Sequence, residues 1–249
     1  MRKITKGVYF EKAYRSGNVG FAVTDDGAVL IDSPMMSADA WSWLQRIARA
    51  SKKGIAFLIN TDFHVERVLG NCFFPTATIA HQLTWIEMQR YDEGYLQRYF
   101  SHRKERYPHI TPDLTKARIV LPELTLSGNI TLYKGEQIFH LLHVGGHTSA
   151  SVMVHLPKER ILFAGDVVVN GEHPSLGQAH TLQWLHALET IRNMDGVDII
   201  VPGSGDLCDP STTVVVTDYI NKMRERVYER YMNNCTRRET VDRVKMEDF

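Results

Sequence analysis

Four short segments concentrate ionisable and polar side chains at the ends of apolar runs. In the first, Leu58-Ile59-Asn60-Thr61 leads straight into Asp62, His64, Glu66 and Arg67. The second, His143 to Ser151, carries His147 within Gly145-Gly146-His147-Thr148. The third is Leu162-Phe163-Ala164-Gly165-Asp166, and the fourth is Ile200-Val201-Pro202-Gly203-Ser204-Gly205. Each reads as a strand ending in a loop, where the strand fixes the backbone and the loop frees the side chains for chemistry. Asp62, His64 and Glu66 alternate, so they can project together from an extended loop. The glycines beside the polar residues permit tight turns and close backbone approach. Other chemistries find no support. No Ser/His/Asp arrangement can be read, and Ser204 reads better as a turn residue than as a nucleophile. Cys72, Cys208 and Cys235 form no CxxC pair, so neither a thiolate zinc site nor a disulfide framework is signalled.

The elements that would position these segments follow from periodicity. Val8-Tyr9-Phe10 reads as a short strand, and Val19–Thr24 and Ala28–Asp32 flank the hairpin turn Asp25-Asp26-Gly27. Ser37 is placed to cap a helix through Trp41, Leu44, Ile47 and Ala48 that Gly54 ends. Ile55–Ile59 is a continuous apolar run, as expected of a strand covered on both faces. Residues 82–106 read as one helix, with Arg98, Arg103, Lys104 and Arg106 as a solvated face. Strands are expected at Ala77–Ala80, Arg118–Leu121, Ile130–Tyr133, Gln137–Leu142, Ser151–Leu156, Arg160–Ala164 and Asp198–Val201. Helices are expected over about 180–193 and 210–232, with a short one near Val241–Val244. Meandering strands with interspersed helices in two similar halves suggest two packed sheets with helices outside.

Bulk properties exclude several classes. Lys+Arg and Asp+Glu both number 29, so zero net charge argues against nucleic acid or an anionic membrane as a partner. No apolar stretch approaches the ~18 residues of a membrane helix. No apolar run follows the charges of Met1–Lys6, so no signal peptide is expected and the cytoplasm is the expected compartment. At 249 residues and 43% hydrophobic, the chain can bury a sizeable core.

The four segments, in this order and spacing, resemble the motifs of the metallo-β-lactamase superfamily. Its pattern is H-x-H-x-D-H after a strand ending in Asn-Thr, then G-H-T, a Gly-Asp after a strand, and P-G-H-G. The Leu30-Ile31-Asp32 strand end fits as well, and the likeness spans roughly residues 6–210. The resemblance implies an α+β fold, a four-layer αββα sandwich formed as a single domain over residues 1–249. A helical insert at about 82–110 would wall the site or make dimer contacts, and helices at about 210–249 would close the chain.

The departures from the family pattern shape the functional expectation. The three histidines of the family's first metal position are matched by Asp62, His64 and His147. The second position is matched by Glu66, Arg67, Asp166 and Ser204. Arg67 is a permanent cation that cannot coordinate a metal, so the second position is expected to be filled by its guanidinium, paired with Asp166 or Glu66. The resemblance then implies one divalent metal on Asp62, His64, His147 and Asp166, zinc first, with iron or manganese as alternatives. It implies Glu66 as general base, with Arg67 and Asp166 completing the catalytic set. The substrate would be a small molecule with an ester, amide, lactone or phosphoester bond, and the protein a homodimer. Two other functions compete: a non-catalytic member that binds a ligand or a partner through the old cleft with Arg67 as anion anchor, and a mononuclear non-haem iron enzyme. Glu66 and Arg67 also read as a structural ion pair left from a decayed site. His81, His143, His173 and His180 read as surface or hydrogen-bonded histidines, and Cys208 as a packed thiol.

Overall fold

The computed structural model describes residues 1–106, 116–247 and 249, and of residues 102–106 the backbone alone. Two sheets carry the framework. The first has seven strands in sequence order, β1 (Arg2–Thr5), β2 (Val8–Glu11), β3 (Val19–Thr24), β4 (Gly27–Ile31), β5 (Ile55–Ile59), β6 (Thr78–His81) and β7 (Leu124–Leu126). Its first four strands form an antiparallel meander, and β4 to β7 pair in parallel. The second sheet runs β12 (Ile199–Ser204), β11 (Ile161–Val169), β10 (Val152–Leu156), β9 (Gln137–His143) and β8 (Ile130–Lys134). Only β11 and β12 pair in parallel there.

Alternation of side chains along each strand builds the layers. Phe10, Ala22, Val29, Ile31 and Ile59 of the first sheet meet Phe139, Leu141, Val154 and Phe163 of the second in one apolar core. The opposite face of the first sheet, with Phe21, Leu30 and Leu58, is covered by Trp43 and Ile47 of α1 (Ser37–Ala50). The opposite face of the second, with Met153, Leu162 and Ile200, is covered by two helices. These are α5 (Thr181–Arg192), through Trp184 and Leu188, and α6 (Thr212–Met232), through Val216 and Ile220. The layers run helix, sheet, sheet, helix, as the motif resemblance implied. Burying each such side chain contributes roughly 1.5–3 kcal/mol, which conformational entropy largely offsets.

Several expectations are corrected. The helix read over residues 82–106 is two, α3 (Gln82–Met88) and α4 (Glu93–Arg106), separated by Gln89–Asp92. The break lets Met88, Tyr91, Leu96 and Phe100 face one cluster with Val65, Val68 and Leu69, which a single straight helix would splay around its axis. The side chains of Arg103, Lys104 and Arg106 in the expected basic face lie outside the described residues. Arg118–Leu121 is not a strand; the pairing with β6 falls at Leu124–Leu126 instead. Ser37 is the first helical residue of α1 rather than its cap, and Met36 holds the cap position. The last helix, α7, is Arg237–Arg243, earlier than expected because Thr236 and Glu239 form a capping box. Where an extended loop was expected after Asp62, the chain turns into α2 (Val65–Val68) and a 3-10 turn at Leu69–Phe73. Among the described residues no helix is long and apolar enough to cross a membrane.

Candidate metal centre

The site lies where strand ends of both sheets come together. The end of β5 is clamped by Asp32, which follows β4 with φ of 56°. Its carboxylate accepts from the Thr61 backbone N–H at 2.9 Å and from the Thr61 hydroxyl at 2.7 Å. Burial pushes the Asp32 carboxyl up to about 7, against the pull of Arg67 and the Thr61 donors. The turn beyond is braced from inside. Asn60 donates to the Arg67 carbonyl at 3.1 Å, Asn71 donates to Asn60 at 2.7 Å, and the Tyr91 hydroxyl donates to the Phe63 carbonyl at 2.9 Å. Asp62 therefore leaves a rigid strand end, and its Oδ1 accepts the His64 backbone N–H at 2.8 Å.

His147 arrives from the second sheet, on the turn between β9 and β10. Gly146 has φ of 95°, and a Cβ there would stand 2.6 Å from the Trp184 Cα, so only glycine fits. The His147 ring sits edge-on to Trp184 at 5.0 Å, which fixes its direction. Asp166 comes from within β11, beside Arg67.

Four side chains converge: ligand atoms of Asp62, His64, His147 and Asp166 all lie within 4.8 Å of one another. Asp62 Oδ2 is 3.2 Å from His64 Nδ1, His64 Nδ1 is 3.2 Å from His147 Nε2, and Asp62 Oδ2 is 3.7 Å from His147 Nε2. The fourth donor, Asp166 Oδ2, is 3.8 Å from His147 Nε2. A tetrahedral zinc site with ligands at about 2.0–2.1 Å has donor–donor edges of about 3.3 Å, so the spacing fits a metal ion of that size. The charge fits too. The Asp62 and Asp166 carboxylates face the Arg67 guanidinium and the His64 ring, and a divalent cation bound there would displace the ring proton. Burial opposes charge on His64, but Asp62, Asp166 and Glu66 lift it to about 9. Burial resists ionisation of Asp62 and Asp166 as well. His64, His147 and Arg67 outweigh it at Asp62, and Arg67 and His147 do so at Asp166, so both carboxyls sit below the usual range. Burial lowers the His147 pKa.

Arg67 is buried, with its guanidinium turned onto Asp166. Its Nε donates to Asp166 Oδ2 at 3.2 Å and its Nη2 to Asp166 Oδ1. Nη1 donates to the Asn18 carbonyl at 3.0 Å, Nη2 donates to the Gly203 carbonyl at 2.9 Å, and Asp32 Oδ2 lies 3.8 Å from Nη1. The room exists because residue 17 is glycine: a Cβ there would meet Arg67 Nη1 at 2.7 Å. Of the two partners expected for Arg67, Asp166 is the one these bonds record. Glu66 sits on the first turn of α2, half-buried on the wall of a cleft of about 280 Å³ shared with His64, His147, Asp166, Ser204 and Arg15.

The four other histidines weighed from the sequence stay out of the cluster. His81 caps α3, His180 caps α5, and His143 bonds the Ser149 carbonyl. His173 lines the cleft mouth. Cys208 packs against the core beneath α5 and α6. Sequence reasoning missed Gln178, whose Oε1 lies 2.7 Å from His64 Nε2, and Asn18, which receives Arg67. Neither belongs to a motif; only the fold brings them near.

Sheets packed face to face with helices outside define an αββα sandwich, with a His/Asp cluster that could hold a metal ion at its strand ends. The model of the Metallo-beta-lactamase superfamily matches residues 14–203, and the chain belongs to that superfamily. It is 22% identical over 216 residues to a metallo-beta-lactamase type 2 of Elizabethkingia meningoseptica, covering 85% of this chain and 78% of that protein. A solved metallo-beta-lactamase from Pontibacter korlensis superposes with a TM-score of 0.67 at 21% identity, over 88% of this chain and 97% of that one. A metallo-beta-lactamase family protein of Thermus thermophilus gives 0.70 at 15% identity, over 91% and 83%. At these identities the likeness carries the fold.

Proposed function

We propose that the protein is a hydrolase that uses one divalent metal ion, zinc first, to cleave an ester, amide, lactone or phosphoester bond in a small molecule. The observation that carries this is the convergence of Asp62, His64, His147 and Asp166 at metal-ligand spacing, with His64, His147 and Asp166 on the wall of a cleft. Those four residues would hold the ion. Bound there, it supplies a Lewis acid and an activated water. Glu66, half-buried on the cleft wall beside His64, would accept a proton as general base, a role its place on that wall supports. Four of the five Arg67 N–H donors are taken by Asp166, Asn18 and Gly203, so the side chain is held in place rather than free to reach for substrate. Its part is to hold Asp166 and to leave a fixed positive charge where the family pattern has a second metal.

Two imidazoles with carboxylates are also the donor set of non-haem iron enzymes, so the identity of the metal decides between hydrolytic and oxidative chemistry. Metal analysis of the purified protein is the test. About one metal ion per chain is expected, lost in His64→Ala and in His147→Ala. Zinc or manganese supports hydrolysis, iron with oxygen consumption supports the oxidative reading, and no metal uptake under zinc supplementation leaves only a binding role.

A further inference from the structure

A second cavity, of about 240 Å³, lies against the candidate metal cleft. Its walls include Val169, Pro174, Val215, Val216, Tyr219 and Phe249. Val169, Glu172 and His173 line both cavities. The His173 ring lies 5.5 Å from Tyr219, and Tyr219 meets Phe249 edge-on at 5.2 Å. The two spaces differ in chemistry. The first is walled by ionisable donors; the second is apolar, with its charged group, Glu172, at the shared edge. Val216 and Tyr219 belong to the buried face of α6, so the pocket floor is held by the outer helix layer. Val215 stays 58% exposed and Phe249 45% exposed, apolar surface that the fold itself leaves uncovered.

We propose that this cavity receives a neutral apolar substituent of the molecule whose scissile bond lies in the metal cleft. The inference deepens the hydrolase reading and rests on it: the substrate class becomes one bearing an acyl, alkyl or aryl tail. The space holds about eight groups at ~30 Å³ each, the size of a phenyl ring or of a chain of about six to eight carbons. Glu172 on the shared edge selects against an anionic tail. The segment from Val169 to His173, which borders both spaces, brings head and tail recognition onto one stretch of chain.

The test measures binding of straight-chain carboxylates from propanoate to octanoate by calorimetry, as mimics of an acyl product. It uses zinc-loaded and metal-free full-length protein. In the zinc-loaded protein, Kd should fall about fourfold for each added methylene and level off once the pocket is full. Val215→Asp should flatten the series while zinc stoichiometry stays unchanged; Val215 is exposed, so the variant leaves the buried core intact. Val215→Phe, which narrows the pocket, should move the levelling point to a shorter chain. A series independent of chain length in the wild type overturns the proposal, as does an unchanged slope in Val215→Asp. So does a dimer that Val215→Asp splits without altering the series, because a second copy would then cover this surface. Should the wild type take up no zinc, the hydrolase reading fails separately. The metal-free series still decides the pocket, upholding it if Val215→Asp removes the slope and overturning it if no slope exists.

Discussion

Gln178 shows how one neutral side chain can set a ligand. An imidazole offers a lone pair on one nitrogen only when the other carries the proton, and the outer hydrogen bond chooses which. At His64 the outer nitrogen is Nε2, 2.7 Å from Gln178 Oε1, so an Nε2–H donated there turns the Nδ1 lone pair toward Asp62 and His147. Gln178→Leu is therefore expected to weaken zinc binding about 10- to 100-fold in a chelator competition, while Gln178→Glu, which keeps the acceptor, stays near wild type. Imidazole nitrogen NMR of the zinc-loaded protein supplies a second reading, since an Nδ1–H at His64 there would contradict the assignment outright. Arg67 is the opposite case, a full charge with no freedom. Replacing it by Met leaves the partly buried Asp166 without its partner, which is expected to cost up to about 3 kcal/mol in urea unfolding of the metal-free protein. The double variant Arg67→His, Ser204→His should take up a second metal ion per chain. If stoichiometry stays at one, the guanidinium does not stand at a metal position.

Helix ends carry a pH response of their own. His81 closes β6 and caps α3, its Nδ1 accepting the Leu83 backbone N–H at 3.2 Å, with its ring stacked 3.8 Å from His143. Burial, then the neighbouring His143, pushes the His81 pKa down to about 4 from an ordinary 6.5. The unfolded chain binds the proton first, so His81 favours folding at full strength above about pH 6.5, and that contribution drains away as pH falls toward 4. Urea midpoints between those limits should fall more steeply for the wild type than for His81→Asn, which caps without titrating. An identical slope would show that the ring stays neutral without contributing. Nothing in the sequence around His81 marks it as a cap, and elements differ in this respect for physical reasons. The hairpin at Asp25-Asp26-Gly27 and the apolar run of β5 were legible because turn chemistry and double-sided burial are local properties. The break between α3 and α4 was not, because it follows from packing on Val65, Val68 and Leu69, distant in sequence. The strand expected at Arg118–Leu121 formed at Leu124–Leu126 because β6 sets the register, and no local pattern reports a partner strand. The same contrast holds in the site: motif residues at strand ends could be read, whereas Gln178 and Asn18 reach it only through tertiary contacts.

The two sheets are joined in two chemically different ways. Through the middle they share an apolar core in which Phe10, Phe139 and Phe163 are almost wholly buried, and that contact needs no ligand. At the strand ends the contact is ionic. Asp62 and His64 follow β5 of the first sheet, whereas His147 and Asp166 belong to the second. Arg67 already spans this seam, bonding Asp166 and the Gly203 carbonyl from the first sheet's side. A metal ion held by all four donors would be a second fastening across the same seam, made only in the folded state. Binding that is confined to the folded state stabilises it by RT ln(1 + [metal]/Kd), about 2.7 kcal/mol at a hundredfold excess over Kd. Thermal melts should therefore rise with zinc concentration in the wild type. His147→Ala should melt near the metal-free wild type and show no rise, because the apolar core and the Arg67 pairing survive the loss of that ring. If His147→Ala kept the zinc-dependent rise, the ion would be held by one sheet alone. A large drop in its metal-free melting point would instead make His147 part of the packing around Trp184 before it is a ligand.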